Sequence, residues 1–405
     1  MEPVQERKKV YAVICLFMFT YMVSYITRIN YGAIIVDMVR STGYTKSALS
    51  MALTGSFITY GAGQIVSGLL GDKFRPKLLV FFGLLLSVGM NVIIPFCPSP
   101  FFMLAVWCVN GFAQAFMWPP IVRLMTVFFN EDDFRKASVF VSWGSSFGTI
   151  IIYLVAPLII TYLTWKSVFW FSAGCGLIMA TLWMAFCKDV RPESKNKEAQ
   201  TDVSIDKPVK LFTPVFIVSM VAIVLQGALR DGVTTWMPTY ISETYKLGSN
   251  VSILTGVVLP IFSILTFQAA SLMYKKLVKN LMTCACLFFG VGAVAALFLY
   301  FFSDASVAAS VVLSATLTGC MHGVNFLLIC LLPGFYKGRK VSTVSGILNS
   351  CTYIGSALST YGIALLSEMT GWKFTLLIWF FIALAGAVLC FVNSFAWKKR
   401  EGKNV

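Results

Sequence analysis

Three arginines stand inside otherwise apolar stretches of this chain: Arg28 in SYITRINYG (24–32), Arg123 in MWPPIVRLM (117–125) and Arg230 in LRDGVTTWMPTYI (229–241). A charged side chain near a bilayer centre costs roughly 2.5–3.5 kcal/mol even on insertion scales, so such a residue marks an interface or a function. A guanidinium keeps its proton when buried and offers planar, paired donors that match carboxylate and phosphate oxygens. Two of them facing one space would form an anion clamp. Arg28 and Arg230, 202 positions apart, stand at the same depth in two long apolar runs that continue beyond them (NYGAIIVDMV and VTTWMPTYI). That continuation favours mid-depth over snorkelling at the outer interface. Tyr25 and Tyr21 fall one and two helical turns before Arg28 on its face, and Gln226 and Thr234 flank Arg230 at four-residue spacing. Arg123 lies nearer the end of its run, where snorkelling or a bond to a neighbouring helix end competes with anion contact. Asp37 and Asp231 are candidate partners for the arginines. Asp231 points about 100° away from Arg230 on a helix, and a charge-setting, a proton-coupling and a structural role are all open to it.

The elements that must hold these residues are transmembrane helices. The chain has 405 residues, 58% hydrophobic and 12% charged, with a mean hydropathy of +0.80, unlike any soluble domain. Runs long enough to cross a ~30 Å hydrocarbon core recur along its length. Twelve are predicted, at 10–39, 45–70, 78–96, 100–128, 135–161, 167–186, 212–244, 250–274, 281–302, 305–335, 341–369 and 373–397, making an all-α membrane protein. The opening run is too long for a signal peptide and lacks a small-residue cleavage site, so it is read as the first span.

The net charge of +15 follows topology. With the first span starting inside, 24 of the 32 Lys and Arg fall on one side and five (Arg40, Lys46, Lys166, Lys246, Lys373) on the other. The excess places both termini in the cytoplasm of a cell-membrane protein and argues against nucleic acid as a partner. The 11 cysteines are scattered through the spans without disulfide or metal spacing. With one histidine, no metal-ligand cluster and no nucleophile motif, an enzyme is not expected, nor a cofactor.

One long polar segment, 187–210, separates two six-span units, 1–186 and 211–405, and reads as a flexible cytoplasmic linker. The units resemble each other. RKAS…FGTI…TWKSVFWF from Arg135 recurs as RKVST…YIGS…GWKFTLLIWF from Arg339, with Gly148 and Gly355, Trp165 and Trp372, and Lys166 and Lys373 each 207 apart. Such a duplication implies a pseudo-two-fold axis along the membrane normal with a midplane site between the halves.

GLLGDKFRPK (68–77), between the second and third spans, resembles the G-x-x-x-D-R/K loop of the major facilitator superfamily through Gly68, Asp72 and Lys73. Arg75-Pro76-Lys77 makes it similar to the variant of the organophosphate:phosphate antiporter family. MWPPIVRLM is similar to that family's W-P-P-x-x-R signature, LRDGVTTWMPTYI to its R-x-G-x-x-x-W-x-P-x-Y signature, and SYITRINYG to the stretch carrying its first-helix arginine. The resemblance implies two pseudo-symmetric six-helix bundles in a monomeric carrier that exchanges a phosphorylated small organic anion for inorganic phosphate by alternating access. It implies that Arg28 and Arg230 hold the phosphoryl group, with Tyr21, Tyr25, Gln64, Gln226, His322 and Tyr353 around them. Asp72, with Gly68, Lys73, Arg75 and Arg123, would anchor helix ends in one closed state. An empty site with two uncompensated guanidiniums would resist reorientation, which couples one anion's entry to another's exit.

Departures from the family pattern keep other readings open. Gln64 in YGAGQ replaces a lysine, Phe147 stands where glycerol-phosphate carriers have a histidine, and His322 falls where an aromatic is usual, its packing and contact roles both open. A proton-coupled sugar-acid or carboxylate symporter, using Asp37 or Asp231, and a membrane-bound organophosphate sensor are the alternatives.

Overall fold

The apolar runs fold as helices throughout the computed structural model, which describes residues 7–189, 212–247, 258–303, 305–336 and 341–401. In chain order they are α1 (Arg7–Ala33), α2 (Ile35–Thr42), α3 (Lys46–Lys73), α4 (Pro76–Ile93), α5 (Pro100–Gln114), α6 (Trp118–Phe128), α7 (Glu131–Tyr162), α8 (Trp165–Phe186), α9 (Pro214–Tyr245), α10 (Val258–Lys276), α11 (Leu281–Phe302), α12 (Val307–Asn325) and α13 (Val341–Glu401). Most of the predicted linker, 190–210, lies outside the described residues.

Three predicted spans differ in their interiors. The run 10–39 is broken at Ile34 (φ −112°, ψ 8°), so that Asp37 belongs to the separate α2. The run 100–128 becomes α5 and α6, because Pro119 and Pro120 have no amide to continue α5 and take the first turn of a new helix. The run 305–335 leaves α-helical geometry at Phe326–Leu331, a π-helical stretch followed by a 3-10 turn at Leu332–Phe335. α13 is interrupted at Gly371 (φ +79°), a left-handed conformation suited to glycine, within the predicted gap between its two spans.

Among the described residues, ten helical segments are long and apolar enough to cross a membrane. Neither α3 nor the 341–370 part of α13 is among them. Both are rich in Gly, Ser, Thr and Tyr, and they pack against each other: the Gly346 Cα approaches Gly68, and Gly61 and Gly71 meet Tyr353 and Ser342. Helices that face protein need less apolar surface than helices that face lipid. Elsewhere lipid-facing side chains abound. A groove of about 660 Å³ between α1 and α8, lined by Leu16, Phe19, Val23, Ile178, Leu182 and Phe186, is apolar and open to the outside.

Two close helix crossings repeat one geometry. Gly148 of α7 lies so near α1 that a Cβ would collide with the Met22 carbonyl oxygen; Gly355 of α13 bears the same relation to the Val224 carbonyl of α9. Met22 and Val224 are 202 apart, as Arg28 and Arg230 are. Each arginine therefore stands six residues beyond a backbone contact fixed by glycine.

Candidate functional site

Arg28 meets Tyr353 of α13. An Arg28 Nη1–H points to the Tyr353 hydroxyl at 3.5 Å, and Tyr353 is within electrostatic reach of Arg230. The Arg28 guanidinium lies over two ring faces, 4.2 Å from the Tyr25 centroid and 4.7 Å from that of Tyr60. Such faces stabilise a cation while leaving its hydrogen-bonding edges for another partner. Tyr60 packs edge-on against Tyr353 at 4.5 Å, and Tyr21 packs edge-on against Tyr25 (5.2 Å) and tilted against Trp118 (5.1 Å), two ring groups that Arg28 bridges. Among the described residues no carboxylate pairs with Arg28.

Arg230 is different. Its Nε–H and an Nη2–H donate to the two carboxylate oxygens of Asp231 at 2.7 and 2.8 Å, a bidentate pair, and the Ser356 hydroxyl donates to the same carboxylate. The expected site with two uncompensated guanidiniums is therefore corrected to one, at Arg28. Backbone geometry does turn the two side chains apart, but the long arginine stem folds back across the helix surface to its neighbour. Asp37, on α2 beyond the break, pairs with no arginine among the described residues.

Other predicted site residues are placed less directly. Thr234 does not present its hydroxyl to the guanidinium; it donates back to the Arg230 carbonyl at 2.6 Å. Gln226 is fully buried and donates to the Met321 carbonyl at 3.2 Å, its own carbonyl oxygen having no partner. His322 packs edge-on against Phe267 at 5.5 Å, within electrostatic reach of Arg230 and Asp231. Gln64, whose backbone carbonyl abuts Gly346, is fully buried with neither amide atom partnered.

What holds Arg28 at its angle is a buried polar network. Asn91 Nδ2 donates to the carbonyls of Thr27 (3.0 Å) and Ser87 (2.9 Å), and Asn30 donates to Asn91 Oδ1 at 2.7 Å. Asn110 also reaches the Thr27 carbonyl (3.2 Å), while Gln114 donates to the hydroxyls of Thr27 (2.7 Å) and Ser87 (2.8 Å). These bonds fix the rotation of α1 on both sides of Arg28, because any turn of the helix would strand fully buried amides. Their sequence signal was present, as four amide side chains in apolar runs, but single residues of this kind carry no pairing information.

The loop residues cluster at the end of the bundle that carries Lys73, Lys77, Arg135 and Lys275, here called the basic face. Asp72 accepts from the backbone N–H groups of Ser342 (3.0 Å) and Thr343 (2.7 Å) and from the Thr343 hydroxyl (2.6 Å), capping the start of α13. Arg123 donates to the Gly71 carbonyl at 2.7 Å and meets Asp72 at 3.4 Å, away from the arginine pair. Gly68 packs on the Ser342 carbonyl, Lys73 is exposed, and Arg75 pairs with Asp189 at 3.1 Å. A second set of contacts between 7–189 and 212–401 was not predicted: Arg135 of α7, 9% exposed, donates to Ser271 Oγ at 3.0 Å and to Asp132 at 3.1 Å, and Ser146 meets Ser263 at 2.9 Å. Among the described residues, the polar and ring contacts that join 7–189 to 212–401 lie near Tyr353 or between it and the basic face.

With this geometry in view, the sequence profile of the Major Facilitator Superfamily matches residues 17–330. The chain is 27% identical over 243 residues to the glycerol-3-phosphate transporter of Bacillus subtilis, covering 54% of each. It is 25% identical over 179 residues to a probable hexose phosphate transport protein of Chlamydia muridarum (44% of this chain, 38% of that one). A membrane sensor protein, UhpC of Salmonella typhimurium, is 25% identical over 148 residues (36% of this chain, 33% of that one). The matched stretches thus span about half the length of these relatives, or less. Their names agree with the organophosphate:phosphate antiporter resemblance, and none of the three is named as an enzyme.

Proposed function

Because the chain belongs to the Major Facilitator Superfamily, we propose that it is a multi-pass carrier of the cell membrane that exchanges a phosphorylated small organic anion for inorganic phosphate by alternating access. The observation that carries this reading is Arg28: a guanidinium on two tyrosine faces, on a helix held by a buried amide network, whose polar contact is the neutral Tyr353 hydroxyl and which pairs with no carboxylate among the described residues. Arg230, across Tyr353, supplies the second anchor. A phosphate monoester has the oxygens and charge to bridge them.

In this mechanism the bundles 1–186 and 211–405 rock about the site. The basic face is assigned to the cytoplasm, with both termini there, so the contacts of Asp72 and Arg135 close the inner side and this arrangement is the outward-facing one. Arg28 left uncompensated makes closure around an empty site costly, which favours exchange over one-way movement. The carrier works as a monomer in the bilayer.

Uptake of labelled inorganic phosphate into proteoliposomes tests the proposal. Vesicles preloaded with phosphate should take up label far faster than empty ones, glycerol 3-phosphate or hexose phosphates should compete, and R28K should abolish exchange because lysine keeps the charge but loses the paired donors. Full exchange in R28K would refute the assignment. The Arg230–Asp231 pair, an acid within the site, favours a second reading, a proton-coupled symporter of sugar acids; uptake of gluconate driven by a proton gradient without preloading would establish it instead. Tight phosphate-ester binding with no turnover in either assay would indicate a sensor.

A further inference from the structure

We propose that Asp231 is a resident anion of the binding site, a built-in competitor that an incoming substrate must displace from Arg230. The inference rests on the reading of Arg230 as a substrate anchor. Its observations lie in the pair itself. Asp231 occupies the Nε–Nη2 edge of the guanidinium with both oxygens, at 2.7 and 2.8 Å, which is how a substrate carboxylate or phosphate would seat side-on. A second anion at the remaining edge would sit beside a like charge.

The pair is also built to come apart. The Asp231 side chain is 29% exposed against 12% for Arg230, so the carboxylate has open space on one side to swing into. Ser356, whose hydroxyl donates to Asp231, is nearly buried and remains as an anchor when the arginine is taken. The pseudo-equivalent arginine has no such partner, since Ile29 follows Arg28 where Asp231 follows Arg230. The two anchors are therefore unequal by design of the sequence: Arg28 receives an anion directly, and Arg230 receives it by exchange.

A specificity consequence follows. A monoanion satisfies Arg28 and can leave the Arg230–Asp231 pair intact. A phosphate dianion engages both arginines and must expel Asp231, so Asp231 weakens dianions more than monoanions and keeps bound phosphate esters releasable.

Phenylglyoxal labelling of the purified full-length protein, with the peptide containing Arg230 quantified by mass spectrometry, reads the pair without knowledge of the substrate. D231N should label Arg230 about fivefold faster or more than wild type, and S356A, which only loosens the carboxylate, should label at an intermediate rate. Protection is then titrated with inorganic phosphate and with gluconate. In D231N phosphate should protect at about tenfold lower concentration than in wild type, with gluconate shifting by less than about threefold. An Arg230 labelling rate within about twofold of wild type in both variants overturns the proposal, as does equal gain for the two anions. Faster labelling with protection by gluconate alone upholds the resident carboxylate and removes phosphate from the proposed function.

Discussion

Replacing Asp72 by asparagine should open the basic face. The Asp72 carboxylate receives three donors from the first turn of α13, at 3.0, 2.7 and 2.6 Å, with Arg123 at 3.4 Å. Its side chain is 8% exposed and that of Arg123 12%, so solvent screens these interactions little. Hydrogen bonds to a charged group contribute about 1.5–3 kcal/mol each; an asparagine oxygen can keep the two from Thr343 at the neutral strength of about 1 kcal/mol each, while the Ser342 N–H loses its acceptor to an amide NH2. Released amides regain water in the open state, so a net loss of about 2 kcal/mol is expected, a ~30-fold shift away from closure. Hydrogen–deuterium exchange read on peptides covering 341–348 measures it directly, because the Ser342 and Thr343 amides are the ones bonded to Asp72. In D72N these amides should exchange ~30-fold faster, and peptides around Ser263 and Ser271, which close with them, should follow by a smaller factor. T343A, losing one of the three bonds, should give an acceleration of about fivefold. Unchanged exchange at 342–343 in D72N would refute the role of Asp72 as the lock of this face.

The same reasoning reaches other positions. Gly148→Ala and Gly355→Ala should each drive two helix backbones apart, since the added Cβ meets a main-chain oxygen that cannot yield; the thermal unfolding midpoint should fall by several degrees, whereas Gly89→Ala, with open space around it, should leave it unchanged or slightly raised. Asn91→Leu removes three hydrogen bonds, leaving the buried Asn30 amide without its acceptor, and should destabilise by about 2–4 kcal/mol, with loss of phosphate affinity exceeding that of an equally destabilised variant remote from Arg28. Tyr60→Leu removes one of the two ring faces under Arg28 and should weaken anion binding by about threefold to tenfold, read by phosphate protection in calorimetry or labelling, while Tyr60→Phe keeps most of it.

Much of this arrangement was legible in the residues. The helical spans follow from length and apolarity, and the 202 and 207 offsets point to the repeated crossing at Gly148 and Gly355 because small residues permit close backbones. The environment of Arg28 was readable in part, since Tyr25 one turn away shares its face by helix periodicity alone. Tyr60 was not, because its meeting with Arg28 depends on how α3 packs, which no local spacing encodes. The pairing of Arg230 with Asp231 also escaped the periodic reading: helix geometry fixes the direction of the Cβ, while a guanidinium at the end of a long stem turns to whichever acceptor lowers its energy. Gln64 was read as a site residue from its place in YGAGQ; its amide is fully buried and unpartnered, an environment set by helix packing that no local spacing encodes.

The seam between α3 and α13 has its own energetics. Gly61, Gly68 and Gly71 meet the 342–353 stretch of α13 with few long side chains between the helices. Where glycine meets backbone, closing it freezes no side-chain rotamers, while Tyr60 and Tyr353 supply its apolar burial. The buried, unpartnered atoms of Gln64, Ser67 and Ser345 gain hydration when it opens. Its closure is therefore tuned chiefly by polar groups, with the contacts of Asp72, Arg123 and Arg135 gained and Gln64, Ser67 and Ser345 left unpartnered on closing.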